Sequence, residues 1–295
     1  MTEGSAFAVS VVIPCFNQAH YLAEAIESAL AQTAPPAEVV VVDDGSGDNS
    51  YEVAGRYKDV IRMRQQNRGM AAARNAGSKK ARGDCLVFLD ADDRLLPEAL
   101  EVGTTALARR PQVAFVSGFS RDVGDDGKVI EGGVRQPLVR QDHFLRLLED
   151  CFIWSGSSIV YRRSAFEAVG GFDEGLAAAA DYDLYLRLVR SYPIYCHDTV
   201  VTDYRRHGTN TTRDSGVVLD SQIEVLRQQR RYLRDRNERE ARRRGIRKTQ
   251  REHGRALAEQ IAEDWRRRRR RRALRRMVTL VRRDPQGFAR LLGAV

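Results

Sequence analysis

The chain has 295 residues, 42% of them hydrophobic, with 49 Lys+Arg against 40 Asp+Glu, and is long enough to bury a full core as one large domain plus an appendage or as two small domains. No run of about eighteen apolar residues occurs, which excludes a membrane-spanning helix, and the first residues lack the charged-then-apolar pattern of a secretory signal, so the cytosolic side is expected. The net charge of +9 is unevenly held: residues 1–221 carry 24 Lys+Arg and 31 Asp+Glu, a net of −7, whereas residues 222–295 carry 25 and 9, a net of +16.

From residue 9 short β-branched runs alternate with longer amphipathic stretches, the pattern of a sheet with crossover helices. A first strand over 9–13 ends at Pro14, and a helix over 20–32 follows with Leu22, Ala25, Ile26, Ala29 and Leu30 on one face. Residues 38–43 are apolar without alternation, as a strand covered on both faces would be. A helix over 49–57, a strand over 60–64, an alanine-rich helix over 69–81 and a buried strand over 85–89 come next. A helix from Pro97 to about residue 110 and strands over 113–117, 157–161 and 195–204 complete the pattern. After residue 212 long arginine-rich helical sequence takes over, broken around Gly245, Gly254 and Pro285. Domains are therefore expected at 1–213 and 214–295. Cys15, Cys85, Cys151 and Cys196 stand singly with no CxxC pair, and read as reduced core thiols rather than a zinc or redox site.

Three acidic clusters carry the chemistry. Asp43-Asp44-Gly45-Ser46 and Asp90-Ala91-Asp92-Asp93 each close a buried strand, where open α/β sheets place ligands. The first is also good turn chemistry, although adjacent carboxylates repel, and Asp93 in the second is a natural helix N-cap. Two carboxylates one residue apart can turn toward Mg²⁺ or Mn²⁺ together with substrate phosphates. In the third cluster, helical spacing puts Asp181 on a stripe with Leu184, Tyr185 and Leu188, with Asp183 and Arg187 as an ion pair on the other side. A desolvated Asp181 suits a general base; an N-cap is the plainer reading. Arg74 and Asn75 fall early on a helix where a diphosphate can approach, and His207 falls just past a strand, as a metal ligand or a structural histidine.

In order along the chain, Val11-Val-Ile-Pro-Cys-Phe-Asn17, Val41-Val-Asp-Asp-Gly-Ser46, Asn67-Arg-Gly69 with Ala73-Arg-Asn75, Phe88-Leu-Asp-Ala-Asp-Asp93, Gly170-Gly-Phe-Asp-Glu174, Asp181-Tyr-Asp-Leu184 and Tyr204-Arg-Arg-His207 together resemble the family 2 glycosyltransferases, an inverting family of GT-A fold. The resemblance implies an α/β, Rossmann-like, mixed and mainly parallel sheet flanked by helices, with the arginine-rich helices as an appendage. It implies transfer of a sugar from a nucleotide-diphospho-sugar to a hydroxyl of a saccharide or lipid-linked acceptor, in polysaccharide, cell-envelope glycan or glycolipid synthesis. Pro14, Phe16 and Asn17 would pack around the nucleotide, Asp43 and Asp44 would meet base and ribose, and Arg74 with Asn75 would stand on the nucleotide side. Asp90, Ala91 and Asp92 form the Asp-x-Asp motif, with Asp92, Asp90 and His207 implied as metal ligands for Mn²⁺ or Mg²⁺. Asp181 would be the base. The family often has Glu where this chain has Ala180, which keeps open a non-catalytic nucleotide-sugar-binding or scaffold relative. A nucleotidyltransferase is disfavoured because Pro14-Cys-Phe-Asn17 replaces its glycine- and lysine-rich loop. Trp154 offers an apolar face to a sugar or to the core.

In the tail, Arg266 to Arg272 are seven consecutive arginines after Trp265, followed by Leu274, Met277, Val278, Leu280 and Val281. A basic helix with an apolar side suits an anionic membrane surface, which would make the protein peripheral at the inner face of a membrane. Nucleic acid ranks below lipid as a partner, and a homodimer is also compatible with the sequence.

Overall fold

The computed structural model describes residues 7–132, 136–176, 178–208, 210 and 213–293. They form two compact units: the chain up to His143 with Phe152–Gly175 and Leu184–His207, and a second unit of Phe144–Cys151, Leu176–Asp183 and the described residues from Gly208 onward.

In the first unit β1 (Val9–Cys15), β2 (Glu38–Asp43), β3 (Val60–Arg64), β4 (Cys85–Phe88), β5 (Arg94–Leu95), β6 (Phe115–Val123), β7 (Ile159–Arg162) and β8 (Tyr195–Arg205) make one sheet in the order β3-β2-β1-β4-β7-β6-β8-β5. β1 is parallel to β2 and β4, β2 to β3, and β6 to β8; β7 is antiparallel to β4 and β6, and β5 to β8. Val11, Ile13, Val39, Val41 and Val87 share a core with Leu22, Ala25 and Ile26 of α1 (Ala19–Leu30). The intervening Val12 and Val42 face α3 (Met70–Lys80), where a Cβ on Gly77 would stand 2.3 Å from Val12 Cγ1. With both faces covered, unbroken valine runs are favourable, each buried side chain contributing roughly 1.5–3 kcal/mol. Helices α2 (Ser50–Ala54), shorter than expected, α4 (Ala99–Ala108), which starts after Pro97 rather than on it, and α6 (Arg163–Ala168) also lie wholly in this unit.

Two strand expectations are corrected. β1 runs through Pro14, which pairs with Val42. The carbonyls of Val12 and Cys15 point to opposite neighbours, accepting from Leu89 N and Asp44 N, so Pro14 N faces the β4 side beyond the last β1–β4 pair, Val12 with Phe88, and no ladder bond is lost. β6 continues to Val123 through a polar run because it pairs with β8 across a register shift at Gly118, whose missing Cβ would meet Val201 Cγ2 at 2.6 Å. Burial raises the Cys15 thiol to about 11 and those of Cys85 and Cys196 to about 12, as expected of core cysteines.

The second unit is helical. It holds most of α5 (His143–Glu149), the first turn of α7 (Ala180–Ser191), and α8 (Ser215–Gln228), α9 (Arg236–Thr249), α10 (Arg255–Arg266), α11 (Arg270–Arg283) and α12 (Pro285–Gly293). Leu219, Ile223, Leu257, Ile261 and Leu280 form its core, with Ala258, Met277, Phe288 and Leu291 packed on them. The expected breaks at Gly245 and Gly254 do not occur. α9 runs through Gly245, whose Cβ would lie 2.0 Å from the Leu148 carbonyl oxygen, and Gly254 belongs to a π-type turn, Gln250–Gly254, pressed against Asp284. These glycines permit close approach instead of ending helices. The break falls inside the arginine run, at Arg267 to Arg269, where Arg268 has φ 57°. No helix among the described residues is long and apolar enough to cross a membrane.

Candidate active site

β1, β2 and β4 are adjacent and parallel, so their carboxyl ends share one edge, with β1 between neighbours reached in opposite directions. Cys15 and Phe16, Asp43 and Asp44, and Asp90 to Asp92 occupy that edge. Asn17 adopts φ 54°, which asparagine tolerates, and its N–H donates to Ser46 Oγ at 2.9 Å while its Oδ1 accepts from Gly47 N at 2.8 Å. The next residue, Gln18, donates from Nε2 to Asp92 Oδ2 at 3.3 Å. Two consecutive residues thus join the first acidic cluster to the second. Phe16 is exposed beside them and Pro14 is buried in β1.

The acids differ in what already holds them. Asp43 is buried, accepts from Ser46 N at 3.0 Å and pairs with Arg64 Nε at 3.0 Å. Asp44, also buried, accepts from Gln65 Nε2 (2.7 Å) and from the N–H groups of Arg68 (2.9 Å) and Gly69 (2.8 Å) at the start of α3. Gly45 sits at φ 76°, and a Cβ there would meet Asn67 N at 2.9 Å. Asp43 thus caps the bend that carries Gly45 and Ser46 through its own side chain.

On β4's edge, Asp90 Oδ1 receives Arg74 Nη2 of α3 at 2.5 Å, and the guanidinium lies 5.3 Å from the Phe172 ring centre. Ala91 is buried between the two acids. Asp92 Oδ2 lies 2.7 Å from His207 Nε2, two residues past β8. Burial first, and the charge of Asp90 second, push the Asp92 carboxyl up, against the His207 contact. Asp93 is fully enclosed, accepting from Ser157 Oγ (2.8 Å) and Arg205 N (3.1 Å); burial and then Asp92 and Asp90 push it well above the usual carboxylate range. Of the three implied metal ligands, Asp92 and His207 stand together while Asp90 is paired with Arg74, and no group of three His, Cys, Asp or Glu suited to a metal is gathered among the described residues.

Several residues to which the sequence assigns no role shape this edge. Arg205 is fully buried; its Nε donates to the Asp92 carbonyl (2.9 Å), Nη1 to the Asp125 carbonyl (2.8 Å) and Nη2 to Glu24 Oε2 (2.6 Å). Tyr21 of α1 donates to Asp125, and its ring lies 5.0 Å from that of His207 and 4.8 Å from the Arg205 guanidinium. Ser157 receives Asp90 N at 3.1 Å. Arg205 lies within the Tyr204 to His207 motif, whose spacing gives it no role of its own.

Asn75, expected on the nucleotide side, spends its amide elsewhere. It donates to the Phe172 carbonyl (2.9 Å) and Glu174 Oε1 (3.1 Å) and accepts from Phe172 N (2.9 Å), fixing residues 172–174 to α3. Asp181 belongs to the second unit, in the first turn of α7. Leu184, Tyr185 and Leu188 are buried as the stripe requires, while Asp181 is half-buried and Asp183, expected on the other side of the helix, is buried as well. Asp181 Oδ1 accepts from Tyr182 N at 2.8 Å, and Arg187 donates to the carbonyls of Val169 and Gly171, both at 2.7 Å. Ala180 is buried and Trp154 is exposed.

A mixed, mainly parallel sheet with acidic motifs and an arginine-bearing helix along one carboxyl edge defines an α/β protein of GT-A architecture, and two solved structures share that fold. Residues 1–349 of TarS from S. aureus superpose with a TM-score of 0.63 at 19% identity, covering 81% of this chain and 70% of that one. The mannosyltransferase PcManGT from Pyrobaculum calidifontis, solved with GDP-Man and Mn²⁺, gives 0.63 at 20% identity, covering 88% and 75%. The chain belongs to glycosyl transferase family 2, whose model matches residues 10–170. It is 29% identical over 208 residues to chondroitin synthase of Escherichia coli and 31% identical over 208 residues to hyaluronan synthase of Pasteurella multocida, covering 69% of this chain in each case. It spans only 30% and 21% of those relatives' lengths. An uncharacterized glycosyltransferase of Rickettsia prowazekii (strain Madrid E) is 31% identical over 209 residues, 69% of this chain and 65% of that protein.

Proposed function

We propose that the chain transfers a sugar from a nucleoside-diphosphate sugar to an acceptor hydroxyl with inversion, in the synthesis of a polysaccharide or other cell-envelope glycan. Family membership supports the reaction class, and one observation carries its location: the Arg74–Asp90 pair and the Asp92–His207 pair stand two residues apart at the end of β4. That juxtaposition offers a guanidinium for a diphosphate beside an acid and an imidazole for a divalent cation.

The donor set fits Mn²⁺ or Mg²⁺. Asp92 and His207 present one carboxylate and one imidazole nitrogen, and such cations take one or two carboxylates together with substrate phosphates. A carboxyl already pushed up by burial and a neighbouring acid is relieved by a cation. When bound, the cation supplies Lewis-acid stabilisation of the leaving diphosphate. Arg74 neutralises charge on the same group, Gln18 orients Asp92, and the Asn17 and Ser46 turn borders the nucleotide. In the displacement the acceptor oxygen bonds to the anomeric carbon, the bond from that carbon to the diphosphate oxygen breaks, and Asp181 takes the acceptor proton.

Asp181→Asn is expected to abolish transfer while donor binding stays within about twofold, because an amide keeps the shape and cannot accept the proton. Release of nucleoside diphosphate from UDP- and GDP-sugars with Mn²⁺, beside calorimetric titration of the donor, measures both. Full turnover by the variant removes Asp181 from the role. A second reading, a binder without chemistry, is favoured by Ala180 in place of the family's common glutamate; selective donor binding with no diphosphate release over the wild-type protein supports it.

A further inference from the structure

Helix α11 carries more apolar surface than its own core uses. Ala273 and Leu280 are buried and Met277 packs on the helical core. Leu274, Val278 and Val281, spaced i, i+4 and i+7, are 53%, 66% and 44% exposed, so a second aliphatic stripe runs along the helix beside the buried one. Trp265, at the end of α10 where the chain turns toward α11, is 54% exposed. Around them the positive charge is largely unanswered. Asp264 is shared by Arg269, Arg272 and Arg276, while Arg268, Arg270, Arg271, Arg275 and Arg282 pair with no carboxylate among the described residues.

We propose that this stripe and its arginines are an interfacial surface that docks the protein on an anionic phospholipid bilayer. Leu274, Val278 and Val281 enter the boundary of the acyl chains, and the flanking guanidiniums, Arg271, Arg275 and Arg282, grip lipid phosphates. The 14-residue helix is roughly 20 Å long, long enough to lie in the interface plane and too short to cross a hydrocarbon core of about 30 Å. The charge complements anionic headgroups, and the aliphatic stripe selects among polyanions, since a nucleic acid offers no apolar medium for it. A second copy of this chain would oppose arginine with arginine. The proposal stands independently of the transferase reading.

The test is sedimentation of the full chain with vesicles of phosphatidylcholine alone or with about one-third phosphatidylglycerol. Binding to the anionic vesicles is expected to be at least about tenfold tighter. Leu274→Ser with Val278→Ser should weaken it about tenfold, and Arg271→Gln with Arg275→Gln should weaken it comparably and reduce its salt dependence. Should the double serine variant lose helicity by circular dichroism, Val281→Ser takes its place. In a Trp154→Phe background, brominated lipid should quench Trp265. Equal binding to neutral and anionic vesicles, anionic binding unchanged by the serine substitutions, or tighter binding to mixed-sequence duplex DNA or RNA that displaces the vesicles each overturns the proposal. Diphosphate release in solution by the serine and glutamine variants of α11 should be unaltered, which separates this test from that of the transferase.

Discussion

Asp90 and Asp92 are chemically the same and two residues apart, yet their partners divide their roles. Arg74 neutralises Asp90 at 2.5 Å, whereas Asp92 stands half-buried against His207 and Gln18. Asp92→Ala should therefore remove the Mn²⁺-dependent part of UDP or GDP binding, by about tenfold or more in affinity. Asp90→Asn should retain that dependence. Calorimetric titration with and without Mn²⁺ checks both, and an Mn²⁺ response surviving in Asp92→Ala contradicts the cation site. Arg205 is the less visible residue. Its three side-chain donors hold the Asp92 carbonyl, the Asp125 carbonyl and Glu24, and lysine cannot reach all three with a planar fork. Arg205→Lys should cost about 2 kcal/mol or more by urea unfolding; unchanged stability would mean that these bonds are replaced by water. The acids were legible in the sequence because their type and spacing are rare outside binding edges. Gln18, Tyr21, Ser157 and Arg205 were not, because each is an ordinary residue whose contact lies 67 to 181 positions away.

At the scale of elements, valine runs and an alanine-rich stretch announced β1, β2 and α3, since covered strands and a helix pressed on them leave that composition. What composition did not announce is how closely α3 approaches. Gly77→Ala would gain about 1 kcal/mol of helix propensity, but the new methyl would stand 2.3 Å from Val12 Cγ1 and 3.1 Å from Val42 Cγ2, and overpacking of that kind costs about 1–3 kcal/mol. Net destabilisation is expected, partly relieved in the double variant with Val12→Ala; a stabilised single variant would show that α3 can shift. Glycine is a poor helix former, so Gly245 and Gly254 suggest breaks in the tail helices, whereas here close packing favours them. α8 shows a cap that spacing does not reveal: Asp214 accepts from Gly216 N (3.0 Å) and Val217 N (3.4 Å) and pairs with Arg276 at 3.2 Å. Burial alone would raise its carboxyl, but Arg276 and the two N–H groups outweigh burial and hold it below its usual value. A folded value below the unfolded one contributes stability above the ordinary aspartate range of about 3.9, lost as pH falls through the folded value. Asp214→Ala should thus cost about 1 kcal/mol at pH 7, and its melting deficit should shrink at pH 3. A deficit independent of pH would assign the loss to packing.

For the whole molecule, the charge split along the sequence foreshadowed a basic helical part, but not its membership. Leu147 accepts from Tyr182, Glu149 pairs with Arg244 at 2.6 Å and Asp150 with Lys248 at 2.5 Å, so two short segments from earlier in the sequence join the tail helices. Such long-range pairings leave no local pattern to read. Residues 222–295 hold a net of +16 around a small core of Leu219, Ile223, Leu257, Ile261 and Leu280, and self-repulsion of that size opposes compaction. The sheet unit has its own, separate core. Calorimetry should therefore resolve two transitions, with a van't Hoff enthalpy below the calorimetric one. Raising NaCl from about 0.05 M to about 1 M shortens the screening length from above 10 Å to about 3 Å. The helical transition should then rise by several degrees, since about 1 kcal/mol moves a small domain by roughly 4–8 °C, while the sheet transition moves less. Leu280→Ala identifies the helical transition, because emptying a buried leucine site costs about 2–5 kcal/mol in the unit that contains it. A single transition with matching enthalpies, or a helical transition lowered by salt, would mean that the arginines are balanced by contacts stronger than their mutual repulsion.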